Sequence, residues 1–312
     1  MLKNKRLGLL VLMLSIGFLL VGCSRRPKLL ILNWGEYMNE AAIEAFETRY
    51  GVDVVVSLAD SNELFYAKVK SGTTAYDLVL PSDYMIEKMV EKDLIQKIDM
   101  TQLTNLTSRD LYMQGVLDIM DNMDDATEDF FVPYFWGTFG LMYNKKVVGL
   151  ETSLEANGWE TLFNPAKRPQ NTRVGMYDVP RFAYAAAMLY QHQDPNVLSQ
   201  ASLKEAEDIL SHASFNVWAD DQLKKAIQAQ NLDLAFVYTG DLLDVLYTDY
   251  QDGKTDDEIN YELYIPEYTM GFMDAFVIPK KARNVELAHQ FINFFLDPDI
   301  AYLNASVVGY AT

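Results

Sequence analysis

The chain has 312 residues, half of them hydrophobic, and Asp+Glu 44 against Lys+Arg 26 give a formal net charge of −18. Such an excess of carboxylates repels phosphate, which argues against nucleic acid as a partner, and it raises the encounter rate of cations. The single cysteine excludes an internal disulfide, and the length suits two hydrophobic cores rather than one.

At the N-terminus Lys3, Lys5 and Arg6 precede an apolar run over residues 7–20, which ends in Leu20-Val21-Gly22-Cys23. The run is shorter than the roughly 20 residues a membrane-spanning helix needs, and it reads as a secretory signal peptide over residues 1–22. Gly22 before Cys23 resembles the bacterial lipoprotein cleavage motif, so Cys23 is the expected lipidation site. Cleavage removes three positive charges and no acid, taking the net charge from −18 to −21. The expected location is extracytoplasmic: the periplasm or the outer face of the cytoplasmic membrane, held by the lipid.

Strand and helix patterns then alternate. Residues 29–33 form an apolar strand, residues 39–49 place Ala42, Ile43 and Phe46 on one helix face, Gly51 ends that helix, and residues 52–56 are β-branched. This is a βαβ unit and predicts a parallel sheet. Residues 61–70 read as a helix, "YDLVLPS" as a strand ended by Pro81, and residues 85–94 as another helix. After residue 134 "NTRVGMYDVP" leads into an alanine-rich helix over residues 183–190, and "NLDLAFVYTGDLLDVLY" puts a strand before Gly240 and a further helix. There is no repeat at a period of 20 to 50 residues.

In open α/β sheets, ligands bind at the loops after the strand ends. Those loops hold Trp34-Gly35-Glu36-Tyr37, Pro81-Ser82-Asp83-Tyr84, Asp178 and Tyr238-Thr239-Gly240-Asp241, and the extended "YTMGFMDAFVIP" adds Phe272 and Asp274. Each carries an aromatic ring or an acid, and several carry both. Taken singly, such rings are commonly core and such acids commonly solvated; their recurrence over five loops suits capture of an organic cation, and whether the loops converge is left to the structure. An ammonium has only donors and needs carboxylate, hydroxyl or carbonyl oxygens, while each π face adds roughly 0.5 to 2 kcal/mol once water is excluded.

Enzyme signatures are missing: there is no HExxH, no GxSxG and no GxxxxGK[ST]. His192, His212 and His289 are expected to be surface or helix-end residues rather than metal ligands. Glu36 and Asp274 could mimic a glycosidase pair, without a second motif in support. No catalytic residue, metal or cofactor is expected.

The segments "ILNWGEY", "SNELFYAKVKSGTTAYDLVLPSDYMIEKM", "LIQKIDMTQLTNL", "VPYFWGTFGLMYN", "MDAFVIP" and "INFFLDPDIA...VGYAT" occur in this order over residues 29–312. In this the chain resembles the spermidine/putrescine-binding proteins of bacterial polyamine ABC importers. The resemblance implies an α/β, two-lobe periplasmic-binding-protein fold (type II-like) with crossover strands and the ligand in the interlobe cleft. It implies a first lobe over residues 29–133 plus 274–312 and a second over 134–272. It also implies a monomer that captures a polyamine and delivers it to an ABC permease.

By the same resemblance the ligand-binding residues are Trp34, Glu36 and Tyr37 in "NWxEY", Ser82 and Tyr84 in "PSxY", Asp178 at a strand-to-helix acid, Asp274 in "MD" and Tyr310 in "GY". Tyr238 and Phe272 stand where the family often has tryptophan. Two departures stand out. Where the family follows the second-lobe acid with "AREV", this chain reads Asp178-Val-Pro-Arg181-Phe182, so Arg181 or Phe182 replaces a glutamate. Asp241 or Asp83 could take over its role. The second departure is the chain's end at Thr312, short of a family segment that returns to the second lobe. The alternatives left open are a receptor for a different organic cation and a truncated paralogue that folds poorly and transports nothing.

Overall fold

The computed structural model describes residues 26–220 and 222–311, so the expected signal peptide and Cys23 lie outside the described residues. The strands are β1 (Lys28–Asn33), β2 (Asp53–Leu58), β3 (Leu78–Val79), β4 (Ile95–Gln96), β5 (Phe131–Asn144), β6 (Val174–Tyr177), β7 (Val217–Ala219), β8 (Leu234–Tyr238), β9 (Tyr261–Tyr264) and β10 (Gly271–Pro279). They run in the order β2-β1-β3-β10-β5-β8-β6-β7, with β4 on β10 and β9 on β5.

The outer pairs are parallel, β1 with β2 and β3, and β6 with β7 and β8. The central pairs are antiparallel: β10 with β3 and β5, and β5 with β8. β5 is long enough to serve both halves. Its residues up to Thr138 pair with β10, and from Phe139 they pair with β8. A bulge falls where Asp274 pairs Phe135 but Ala275 pairs Pro133, leaving Tyr134 as the extra residue. Proline has no N–H to give to a ladder, and bulges of this kind re-aim side chains next to functional sites.

Local chemistry sets the element ends. Asn39 caps the helix Glu40–Tyr50 by accepting from Ala41 N–H, and Gly51 closes it at φ 67°. Ser61 caps the helix Asn62–Ser71 by accepting from Leu64 N–H. Residues between 139 and 261 build one buried cluster, while two others draw only on residues 29–135 and 273–308. Each half therefore buries its own apolar side chains, and β5 and β10 connect them. No helix among the described residues is long and apolar enough to cross a membrane.

One expectation fails here. His289 is neither at the surface nor at a helix end: it is buried within the helix Val285–Phe295. Its Nε2 accepts from the Asp99 N–H at 2.9 Å and its Nδ1 lies 2.8 Å from the Val285 carbonyl. An accepting Nε2 leaves the proton on Nδ1, so both ring nitrogens are spent on backbone.

Candidate functional site

A cleft of about 1720 Å³ opens between the two halves, walled by the loops after β1 and β3, the starts of helices in the second half, and the crossing strands. Trp34, Glu36, Tyr37, Ser82, Tyr84, Tyr238, Phe272, Asp274 and Tyr310 all line it. Asp178 does not. It is exposed, its N–H donates to the Ala219 carbonyl at 2.9 Å, and it lines a separate hollow of about 330 Å³ beside Trp218. The residues of that segment in the cleft wall are Val179, Arg181, Phe182 and Ala185. Arg181 and Phe182, either of which the resemblance puts in place of a glutamate, are both among them.

Asp274 is only 5 % exposed. The Tyr37 hydroxyl donates to its Oδ2 at 2.7 Å and the Ser82 hydroxyl to its Oδ1 at 2.6 Å. Asn62 Nδ2 donates to the Ser82 oxygen at 2.9 Å, and Asn62 Oδ1 accepts from the Ser82 N–H at 3.0 Å. Ser82 stands at the N-cap of the helix Asp83–Glu91 yet makes no side-chain cap bond. Its hydroxyl serves Asp274 instead. Burial pushes Asp274 up to about 6, against the lowering by its two hydroxyl partners. Tyr37 is raised well above its ordinary value, by burial first and by Asp274 second.

A second carboxylate stands close by. Asp83 is half-buried, and desolvation pushes it up to about 7. Its bond from the Tyr84 N–H at 2.7 Å and the nearby Arg181 oppose the rise, while Asp274 and Glu87 add to it. Asp241, the other candidate substitute for the missing glutamate, also lines the cleft but is already engaged. Lys224 Nζ lies 3.1 Å from Asp241 and 2.9 Å from Asp244, and Asp241 accepts from the Tyr238 N–H at 3.0 Å.

The rings form a connected wall. Tyr310 meets Tyr37 and Phe272 edge-on at 5.6 and 5.7 Å, and Phe272 meets Tyr238 at 5.0 Å. Trp34 is fixed by its Nε1 donating to the Leu80 carbonyl at 2.8 Å and by packing on Phe65 at 4.6 Å. Glu36 is exposed at φ 51°, on the lip of the cleft. Gly240 makes room for Tyr310, since a Cβ there would come within 2.3 Å of the tyrosine ring. Among the described residues, the cleft lining holds twelve carboxylates and two basic side chains, Arg181 and Lys224. Such a lining concentrates cations and repels anions.

A family model for bacterial extracellular solute-binding proteins matches residues 41–312. The chain belongs to that family. Among relatives of this solute-binding protein, the spermidine/putrescine-binding periplasmic protein of Salmonella typhimurium is 30% identical over 302 residues, 96% of this chain and 81% of the relative. The putrescine-binding periplasmic protein SpuD of Pseudomonas aeruginosa is 27% identical over 316 residues, covering 98% and 84%. Among solved structures, the spermidine/putrescine ABC transporter substrate-binding protein PotD of Streptococcus pneumoniae superposes with a TM-score of 0.73 at 28% identity, covering 92% of this chain and 83% of that one. The TpPotD lipoprotein of Treponema pallidum gives 0.71 at 27%, covering 88% and 82%.

The solute-binding protein's cleft also contains residues that sequence reasoning passed over. Trp136 sits in β5 with its Nε1 buried and no protein partner among the described residues, and a Cβ on Gly115 would collide with its ring. A tryptophan in a crossover strand was the available signal. Asn62 carried none, because its role depends on Ser82, twenty residues away.

Proposed function

We propose that this protein is the extracytoplasmic receptor of an ABC importer for polyamines, taking putrescine or spermidine and presenting it to the permease. The observation that carries the reading is Asp274, buried between Tyr37 and Ser82 on the wall of a cleft with twelve carboxylates and a run of aromatic rings. An ammonium against Asp274 replaces lost water with a carboxylate and π faces. Trp34, Tyr37, Tyr238, Phe272 and Tyr310 supply the ring faces, Tyr84 lies under Arg181, and Glu36 adds a charge at the lip. Asp178 is left out of this set. The names of the relatives point to the same ligand class.

The mechanism is closure rather than chemistry. The two halves meet through β5 and β10, and a ligand touching both favours the closed state by its differential free energy alone. Lobes divided near residues 133–134 and 272–274 fit this reading, as does a monomeric receptor. Lipid attachment at Cys23 would hold it at the membrane surface, in keeping with a relative described as a lipoprotein.

A thermal-shift panel tests the ligand class. A bound amine at a hundred times its Kd stabilises the folded state by about 2.7 kcal/mol, so putrescine or spermidine raises the melting temperature while neutral sugars and anionic amino acids leave it unchanged. A shift with those controls and none with any amine would remove the polyamine reading. Gly240→Ala provides a second check. The added methyl drives the Tyr310 ring out of place, and loss of one ring contact lowers amine affinity by roughly 2- to 30-fold. Gly240 is the first residue of its helix, where propensity counts for little, so any fall in melting temperature reads the cost of displacing the ring. Calorimetry and melting together separate these effects.

A further inference from the structure

Arg181 stands in the first turn of the helix Pro180–Tyr190, in the second half of the molecule. Its guanidinium carbon lies 4.1 Å from the ring centroid of Tyr84, which belongs to the helix Asp83–Glu91 of the first half. The contact therefore spans the cleft. The two basic residues of the lining are used differently. Lys224 is held by Asp241 and Asp244, whereas Arg181 makes no ion pair among the described residues and lies on an aromatic face. A ring face next to the Asp83 carboxylate is a surface that an ammonium seeks. Here the protein's own cation covers it.

Resting on the amine reading above, we propose that Arg181 is a specificity-determining residue. Its guanidinium fills the Tyr84–Asp83 end of the cleft, so the receptor accepts a diamine held at Asp274 and turns away a longer triamine whose next ammonium has to enter that end. A triamine must push it off Tyr84 or accept a like charge beside it. At about 6 Å, with solvent screening at an exposed side chain, this costs the triamine roughly tenfold in affinity. The other use of such an arginine is to pair with a ligand carboxylate. The twelve acids of the lining oppose that use.

Calorimetric titration of the parent protein, Arg181→Gln and Arg181→Lys with putrescine, spermidine and 5-aminovalerate tests the assignment. The parent binds putrescine more tightly than spermidine. Arg181→Gln raises spermidine affinity about tenfold more than putrescine affinity, and Arg181→Lys, which keeps the charge, retains the parent's preference. A spermidine-to-putrescine ratio unchanged in Arg181→Gln overturns the specificity role while leaving the amine receptor standing. Binding of 5-aminovalerate by the parent that Arg181→Gln abolishes makes Arg181 an anion partner and overturns it equally. No heat with either amine, from any of the three proteins, removes the amine reading and the specificity role with it.

Discussion

Asp274→Asn weakens diamine binding by roughly 10- to 150-fold, while the empty protein melts at the same or a higher temperature at pH 8. The affinity loss corresponds to about 1.5 to 3 kcal/mol, the range for hydrogen bonds to a charged group. Stability moves the other way because the carboxylate is costly to bury. Its value of about 6 in the folded protein, against 3.8 ordinarily, means that at pH 8, where the group is ionised, burying its charge works against folding. The amide keeps an acceptor for one of the two hydroxyls, and Ser82 and Tyr37 can each accept from its NH₂. Calorimetric titration and thermal melting of the same preparation read the two effects. Unchanged affinity makes Asp274 a structural acid only, and a large drop in melting temperature makes it a fold residue whose binding loss is secondary.

Amine binding expels protons, and affinity drops as the solution becomes acidic. In the empty protein Asp83 is pushed up to about 7 and Asp274 up to about 6, so both hold protons over part of the range below neutrality. A cation favours their ionised forms. The groups facing Asp83 are Asp274 and Glu87, which raise it, and Arg181, which lowers it. Below about pH 6 the affinity falls by about tenfold per pH unit if one proton leaves, and by about a hundredfold if two do. The stability of the empty protein has the matching sign. Both values lie above the ordinary 3.8, so the fold binds more protons than the unfolded chain between about pH 4 and 7. The contribution of these two groups is therefore fully present at the acid end and is lost as pH rises through that window. Titrations at pH 5.5 and 8, in buffers of different ionisation enthalpy, count the protons. Affinity that stays level across this range would contradict the cleft electrostatics described here.

Much of the frame was legible because local chemistry decides it. Asn39, Gly51 and Ser61 announce their helix ends by capping and by the left-handed turn, and the β-branched run after Gly51 announces β2. Trp34, Tyr37, Ser82 and Tyr238, in the loops after the strands, stand in the cleft wall. What escaped depends on direction or on distant partners. Asp178 follows β6 as anticipated, yet it lines the hollow beside Trp218 rather than the cleft. Position in a strand-to-helix loop does not determine which way a given residue points, and a shift of one residue can reverse it. Asp241 is held by a lysine seventeen residues earlier, and His289 by the backbone of Asp99 across the core. The bulge at Tyr134 that accompanies Asp274 depends on pairing between strands far apart in sequence.

Isothermal titration of the purified protein with putrescine at pH 8 and low salt tests the central claim, that the cleft around Asp274 binds an organic cation. A Kd of micromolar order, about −8 kcal/mol, that weakens as salt screens the acidic lining and weakens again in Asp274→Asn is the predicted result. Absence of heat with millimolar amine, or binding of equal strength in parent and Asp274→Asn, would contradict it.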